Sequence, residues 1–249
     1  MKRNFISDNL PPLQQMVEAF TWFQLSAPEL AIAAYVDDGS VPEDNLLECL
    51  STEELAQADS LSKPTERRHF VVRRSFQRLF LSLISGWSAK PKDLAMQHKL
   101  DTRPYCADFP TLQISFSTSG ATALACASTT HVVGIDVERV RPIENVSQLA
   151  ERFFSSEEAA AIAALPGDQQ NQHFLLHWTA KEAGLKAIGK GIVSGLNAFS
   201  LMREGHNLPY KIIGPAEKGE GWSLQHIEML PLHIIAVVQK NSVDKFCLP

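Results

Sequence analysis

Gly134-Ile135-Asp136-Val137-Glu138 and, forty residues later, Trp178-Thr179-Ala180-Lys181-Glu182 with Lys186 decide how this chain is read. The first pentapeptide has the alternation of a β-strand, with Val133, Ile135 and Val137 on one face and Asp136 and Glu138 on the other. The second lies in a helical run, where Trp178, Glu182 and Lys186 recur every fourth residue and line one side. Packing the strand on that helix brings three carboxylates and a lysine together. Hard oxygen ligands of this kind suit Mg²⁺, whose shell is completed by waters and substrate phosphate oxygens. The pattern points to phosphoryl-type chemistry.

Each fragment alone has a plainer reading. Acidic residues at i and i+2 describe an ordinary solvated strand face. Glu182 and Lys186 have the i,i+4 order that stabilises an exposed helix by about 0.2–0.5 kcal/mol. Trp178 alone is a packing residue. The combination, in this order, carries the argument.

From Asp136 to Gly191 the chain resembles the 4′-phosphopantetheinyl transferases of the large, two-lobed, surfactin-synthetase-activating type. That family carries a G-[IV]-D-[IV]-E strand, an F-[SC]-x-x-E helix start, W-x-x-K-E-x-x-x-K and G-x-G. Here these are Gly134 to Glu138, Phe154-Ser155-Ser156-Glu157-Glu158, Trp178 to Lys186, and Gly189-Lys190-Gly191. The N-terminal half matches more loosely. Arg67-Arg68-His69-Phe70, Arg74 and Arg78 resemble the family's basic helix, and Thr102-Arg103-Pro104-Tyr105 stands where the family has G-K-P-x. Ile114-Ser115-Phe116-Ser117-Thr118-Ser119-Gly120 stands where it has N-x-S-H-S-G, so Ser115 replaces an asparagine and Thr118 a histidine.

The resemblance implies an α+β fold of two similar lobes, each a small, mostly antiparallel sheet with helices, related by a pseudo-twofold. It implies a monomeric, Mg²⁺-dependent enzyme of the holo-[acyl-carrier-protein] synthase type, with Mn²⁺ as an alternative ion. The enzyme would move the phosphopantetheine arm of coenzyme A onto a serine of an apo carrier protein and release adenosine 3′,5′-bisphosphate. Asp136, Glu138 and Glu182 are then the metal ligands, and Glu158 is the general base. Lys186, with Lys181 as a second contact, neutralises the diphosphate. Arg68, Arg74, Arg103, Ser117 and Thr118 are the contacts to the nucleotide end of coenzyme A. The alternative is a non-catalytic protein of the same fold that binds coenzyme A or a carrier. Phe153-Phe154 offers an apolar patch for the carrier.

Composition bounds these readings. The chain has 249 residues, 45% of them apolar and 20% charged, with a formal net charge of −5. A net-acidic chain argues against nucleic acid as a general partner and against a nuclease. Its basic residues nonetheless crowd at Arg67, Arg68, Arg73, Arg74 and Arg78, either a solvated helix face or a site for a polyanion. Cys49, Cys106, Cys126 and Cys247 form no C-x-x-C and read as reduced thiols of a cytoplasmic protein. His173 and His177 have a zinc-compatible spacing with no third ligand nearby and read as packing or surface residues. Met1-Lys2-Arg3-Asn4 leads into no unbroken apolar run, so neither leader nor membrane anchor is expected.

Along the chain, residues 1–20 with Pro11-Pro12 read as an extended lead-in, and Phe20 to Val36 as a strand broken at Pro28. Pro42 to Leu61 and Lys63 to Ser85 read as helices. Ile114 to Ser117, Ala121 to Ser128 and Val132 to Val137 read as strands. Ser155 and Glu158 form a capping box, S-x-x-E, at a helix start. Asp168 to Ile188 reads as the helix carrying Trp178, stopped by Gly189. Strands follow near Phe199–Met202, Tyr210–Ile213, Trp222–Glu228 and Leu232–Gln239, the last alternating little and therefore central. The lobe boundary falls near residue 130, giving 1–130 and 131–249.

Overall fold

Two long helices and two antiparallel sheets organise the chain, and the parity of the strand residues sets their stacking. In a computed structural model that describes residues 13–23, 29–97, 103–191, 195–203, 210–215, 220–227 and 232–241, helix α1 (Gln14–Glu18) leads into strands β1 (Thr21–Phe23) and β2 (Leu30–Val36). Helices α2 (Glu43–Leu47), α3 (Thr52–Ser60) and α4 (Pro64–Ile84) follow, then the short strands β3 (Met96–Gln97) and β4 (Tyr105–Cys106). Next come β5 (Gln113–Ser119), β6 (Thr122–Ser128) and β7 (His131–Arg139), then α5 (Val146–Phe153), α6 (Ser156–Ala163) and α7 (Gly167–Ala187). The chain closes with β8 (Ser200–Met202), β9 (Lys211–Ile213), β10 (Trp222–Ile227) and β11 (His233–Asn241).

The first sheet has the order β1-β2-β6-β5 and the second β10-β11-β7, all antiparallel, so β11 is the central strand its unbroken apolar run indicated. Ala33, Tyr35, Ala123 and Ala125 pack on Phe76, Leu79 and Phe80 of α4. Ile32, Ala34, Leu124 and Cys126, on the opposite face, meet Val133, Ile135, Val137, Ile235 and Val237 of the second sheet. The far face of that sheet, through Val132, Ala236 and Val238, packs on Ala180, Ala183 and Ala187 of α7. The layers therefore run α4, first sheet, second sheet, α7.

The two sheets also touch edge to edge. Ser115, Ser117 and Ser119 of β5 accept hydrogen bonds from the backbone N–H groups of Ile135, Val137 and Arg139 of β7, at 3.1, 3.3 and 3.1 Å. A row of hydroxyls thus joins the outer strands where a backbone ladder would otherwise run.

Three expectations about elements change. Pro42 to Leu61 forms two helices, because Ser51 starts a new one: its hydroxyl accepts from the N–H of Glu54 while the Glu54 carboxylate accepts from the N–H of Ser51. The lead-in contains helix α1, and α5 was not anticipated. Residues 1–12, Pro28, Thr102 and Cys247 lie outside the described residues. The capping box at Ser155–Glu158 and the stop at Gly189, with φ +70°, are as the sequence indicates.

Candidate active site

Gly134 sets the distance between strand and helix. A Cβ at this position would stand 1.9 Å from the carbonyl oxygen of Ala183, so only glycine lets β7 lie this close to α7. Asp136 and Glu138 follow on the same face of the strand. Trp178, Glu182 and Lys186 answer them from the helix, and all five line one cleft of about 460 Å³ together with Arg73, Arg74, Phe116, Ser117 and Thr118.

Within the cleft, Lys186 Nζ donates to Asp136 Oδ1 at 2.7 Å and to Ser117 Oγ at 2.9 Å, and Ser117 Oγ donates to the same Asp136 oxygen at 2.7 Å. With Val137 N–H as a second donor to it, the Ser117 hydroxyl uses its one proton and both lone pairs. Asp136 Oδ2 and Glu182 Oε1 are buried and have no hydrogen-bond partner among the described residues. Burial, and then the neighbouring Asp136 carboxylate, raise the Glu182 carboxyl to about 7, with Lys186 opposing. The same two causes raise Glu138. Buried acceptors left without donors carry a desolvation penalty, which a cation would offset. Among the described residues no group of three carboxylate, histidine or cysteine side chains is arranged to hold a metal ion. The donor set nonetheless fits Mg²⁺: hard oxygens, two of them orphaned, on one wall of a cleft.

Glu158 and Lys181 are placed elsewhere. Lys181 is fully buried and donates to Glu158 Oε2 at 2.6 Å, and Glu158 also accepts from the N–H groups of Ser155 and Leu201. On α7, Lys181 is one residue from Glu182 and so points about 100° away around the helix. Glu158 lines a separate cavity of about 620 Å³ with His173, His177 and Tyr210. This departs from the roles of proton acceptor and diphosphate contact, because Glu158 is taken up by Lys181 and two backbone N–H groups and neither residue lines the cleft of Asp136. Phe154 is buried beside Lys181 and is no surface for a partner; Phe153 packs edge-on against Trp178. His177 is a buried packing residue whose ring N–H meets the carbonyl of His173, and burial lowers its pKa to about 4.

The arginines divide in the same way. Arg68 grips Asp37 with two nitrogens and the carbonyl of Val41 with a third. Arg67 holds Glu43 and Asp59, and Arg78 holds Glu54 and the carbonyls of Pro91 and Leu94. Arg103 meets Gln113 and lies against Gly189, and is not among the residues that line the cleft, although its neighbour Pro104 is. Arg74 lines the cleft, bonded to Gln77 and 3.6 Å from Glu54. Arg73, Gln77, Pro104 and Phe116 join the lining without having been singled out. For Arg73 the signal was present in the basic cluster, but helical phase alone did not separate it from Arg74.

Comparison with known proteins agrees with this geometry. The sequence model of the 4′-phosphopantetheinyl transferase superfamily matches residues 132–238, which include the acidic strand and the helix opposite. The chain is 34% identical over 152 residues to the 4′-phosphopantetheinyl transferase HetI of Nostoc sp., covering 59% of this chain and 63% of the relative. It is 32% identical over 150 residues to a putative 4′-phosphopantetheinyl transferase of Synechocystis sp., covering 59% and 60%. These two alignments therefore span less than two thirds of the relatives' length. The 4′-phosphopantetheinyl transferase Sfp of Bacillus subtilis is 30% identical over 162 residues, covering 61% of this chain and 71% of the relative. A cleft assembled from the matched strand and helix, and a relative aligned over most of its length, place the chain: it belongs to the 4′-phosphopantetheinyl transferase family.

Proposed function

We propose that this protein transfers the 4′-phosphopantetheine arm of coenzyme A to the serine hydroxyl of an apo carrier protein and releases adenosine 3′,5′-bisphosphate. The observation that carries the reading is the convergence of Asp136, Glu138, Glu182 and Lys186 on one cleft, with orphaned oxygens on Asp136 and Glu182. Asp136 and Glu182, with Glu138 beside them, would hold Mg²⁺ or Mn²⁺. When bound, that ion supplies charge neutralisation at a diphosphate.

Catalysis of this class is mainly positioning and electrostatics. The Lys186 ammonium, at the mouth of the Asp136–Ser117 network, orients and neutralises the substrate's phosphate oxygens. Glu182, which lines the cleft where Glu158 does not, takes the place first given to Glu158 as acceptor of the serine proton. Trp178 and Phe116 form apolar walls that limit water.

The layered sheets and the equal lengths of α4 and α7, 21 residues each, support two lobes related by a pseudo-twofold and divided near residue 130, and the same reading makes the protein a monomer. Reduced, buried Cys49, Cys106 and Cys126 support a cytoplasmic setting. Among the described residues no helix is long and apolar enough to cross a membrane.

Incubation with coenzyme A, Mg²⁺ and a panel of apo carriers, followed by intact mass of each carrier, tests the proposal. A mass gain of one phosphopantetheine group is expected, and it disappears in Asp136→Ala. A panel with no gain, although the protein binds coenzyme A, would favour the non-catalytic binding protein. Full activity in Asp136→Ala would remove that residue from the mechanism.

A further inference from the structure

The three serines of the β5–β7 seam are not equivalent. Each accepts from one backbone N–H of β7: Ser115 from Ile135, Ser117 from Val137 and Ser119 from Arg139. The residue before each of those N–H groups is Gly134, Asp136 and Glu138 in turn. Ser115 thus stands opposite a residue with no side chain, whereas Ser117 and Ser119 reach carboxylates.

Ser117 is occupied on every side. Its hydroxyl donates to Asp136 Oδ1 at 2.7 Å and accepts from Lys186 Nζ at 2.9 Å and from Val137 N–H at 3.3 Å. One proton and two lone pairs are then spent, and no capacity remains for a ligand. On Asp136 the bonding is uneven. Oδ1 takes both the Ser117 hydroxyl and the Lys186 ammonium, while Oδ2 is buried and takes no donor among the described residues. The carboxylate cannot turn about its last bond without breaking two hydrogen bonds, both to an ionised group. The oxygen left over is a buried acceptor that a cation would satisfy.

Of the two donors to Oδ1, Lys186 is the changeable one. It has a flexible four-carbon stem, is 29% exposed, and also serves the substrate's phosphates. Ser117 is buried on a strand, with a single short side-chain bond to turn about. When Lys186 swings to a phosphate, Ser117 is the donor that still holds Oδ1.

Resting on the metal site of the transferase reading above, we infer that Ser117 is a positioning residue. It fixes the Asp136 carboxylate so that Oδ2 stays presented to Mg²⁺, and it does not contact the nucleotide end of coenzyme A. Outer-shell partners of this kind contribute about 10–100-fold to metal affinity.

The test is a titration with Mn²⁺, an ion that carboxylate oxygens also bind, with the free ion followed by electron paramagnetic resonance. Ser117→Ala should weaken Mn²⁺ by about 10–100-fold. Ser115→Ala loses the same kind of seam bond beside Gly134, and should change Mn²⁺ affinity by less than about threefold. Ser117→Cys, close in size but a weak donor, should fall between wild type and Ser117→Ala, and it decides the outcome if the alanine variant does not fold. Thermal denaturation in metal-free buffer checks folding. Coenzyme A titrated without metal should bind Ser117→Ala within about threefold of wild type. Equal loss of Mn²⁺ in both alanine variants, or loss in neither, overturns the inference. So does weakened coenzyme A with Mn²⁺ unchanged, which would return Ser117 to the nucleotide. Wild type that binds no Mn²⁺ overturns it as well. The expected Mn²⁺ pattern with no carrier modified leaves the role of Ser117 in place and removes the transfer reaction instead.

Discussion

Glu182 is the residue on which the electrostatics of the cleft turn. Burial and the Asp136 carboxylate hold its folded pKa at about 7 against an ordinary 4.5. The folded protein therefore keeps a proton that the unfolded chain releases across this interval, and stability falls as pH rises through it. The penalty is complete above about pH 7 and absent below about pH 4.5. In metal-free buffer Glu182→Gln should stabilise the protein by about 1–3 kcal/mol near pH 8, with the gain vanishing near pH 4.5. Chemical denaturation across that range measures it; a gain independent of pH would refute the assignment. Mg²⁺ should raise the melting temperature of wild type but not of Asp136→Ala, since a ligand held only by the folded state stabilises it by mass action. Asp136, Glu138, Glu182 and Lys186 were all legible in the sequence, because strand and helix periodicity fix which side chains share a face. The saturation of Ser117 was not, because it depends on partners distant in sequence.

At the scale of the element, Glu158 and Lys181 pin α6, α7 and β8 together through one carboxylate. Glu158→Gln keeps hydrogen-bonding capacity but leaves the Lys181 ammonium buried without a counter-charge. Breaking one half of such a pair destabilises by about 3–5 kcal/mol. Denaturant unfolding should show that loss, and Lys181→Met in the same chain should recover most of it. A proton-accepting role would predict the opposite: activity lost at unchanged stability. The capping box at this helix start was readable because its spacing is local. Its second duty, as counter-ion to a lysine 23 residues away, lay beyond any local pattern. The division at Ser51 has the same local S-x-x-E spacing, Ser51 to Glu54, so its signal is present in the sequence even though Pro42 to Leu61 reads as one helix without it.

The whole molecule depends on how the outer strands β5 and β7 meet. Ser115 is buried, and Ser115→Ala would leave the Ile135 N–H without an acceptor, at about 1–3 kcal/mol. Hydrogen exchange should show faster exchange at Ile135 in that variant, while the amides of β11, bonded within the sheet, stay protected; unchanged exchange at Ile135 would count against the seam. All the strands but the short pair β3 and β4, both long helices and the central place of β11 could be read from the sequence, since apolar periodicity encodes them. The stacking order could not, because it depends on which face of each sheet meets which partner. The hydroxyls that join the two sheets belong to Ser115, where the chain departs from the family pattern, and to Ser117 and Ser119, where it keeps it.

The row of hydroxyls has one more consequence. An outer strand with open N–H groups is a template on which another chain can build, the usual start of edge-to-edge aggregation. Here the outer strand of one sheet is covered by the outer strand of the other, at a spacing that only short side chains can bridge. The same contact that brings Ser117 to Asp136 occupies the outward N–H groups of Ile135, Val137 and Arg139, so β7 has none of these left to recruit a neighbour. Replacing these serines with larger residues would therefore threaten solubility as well as the cleft.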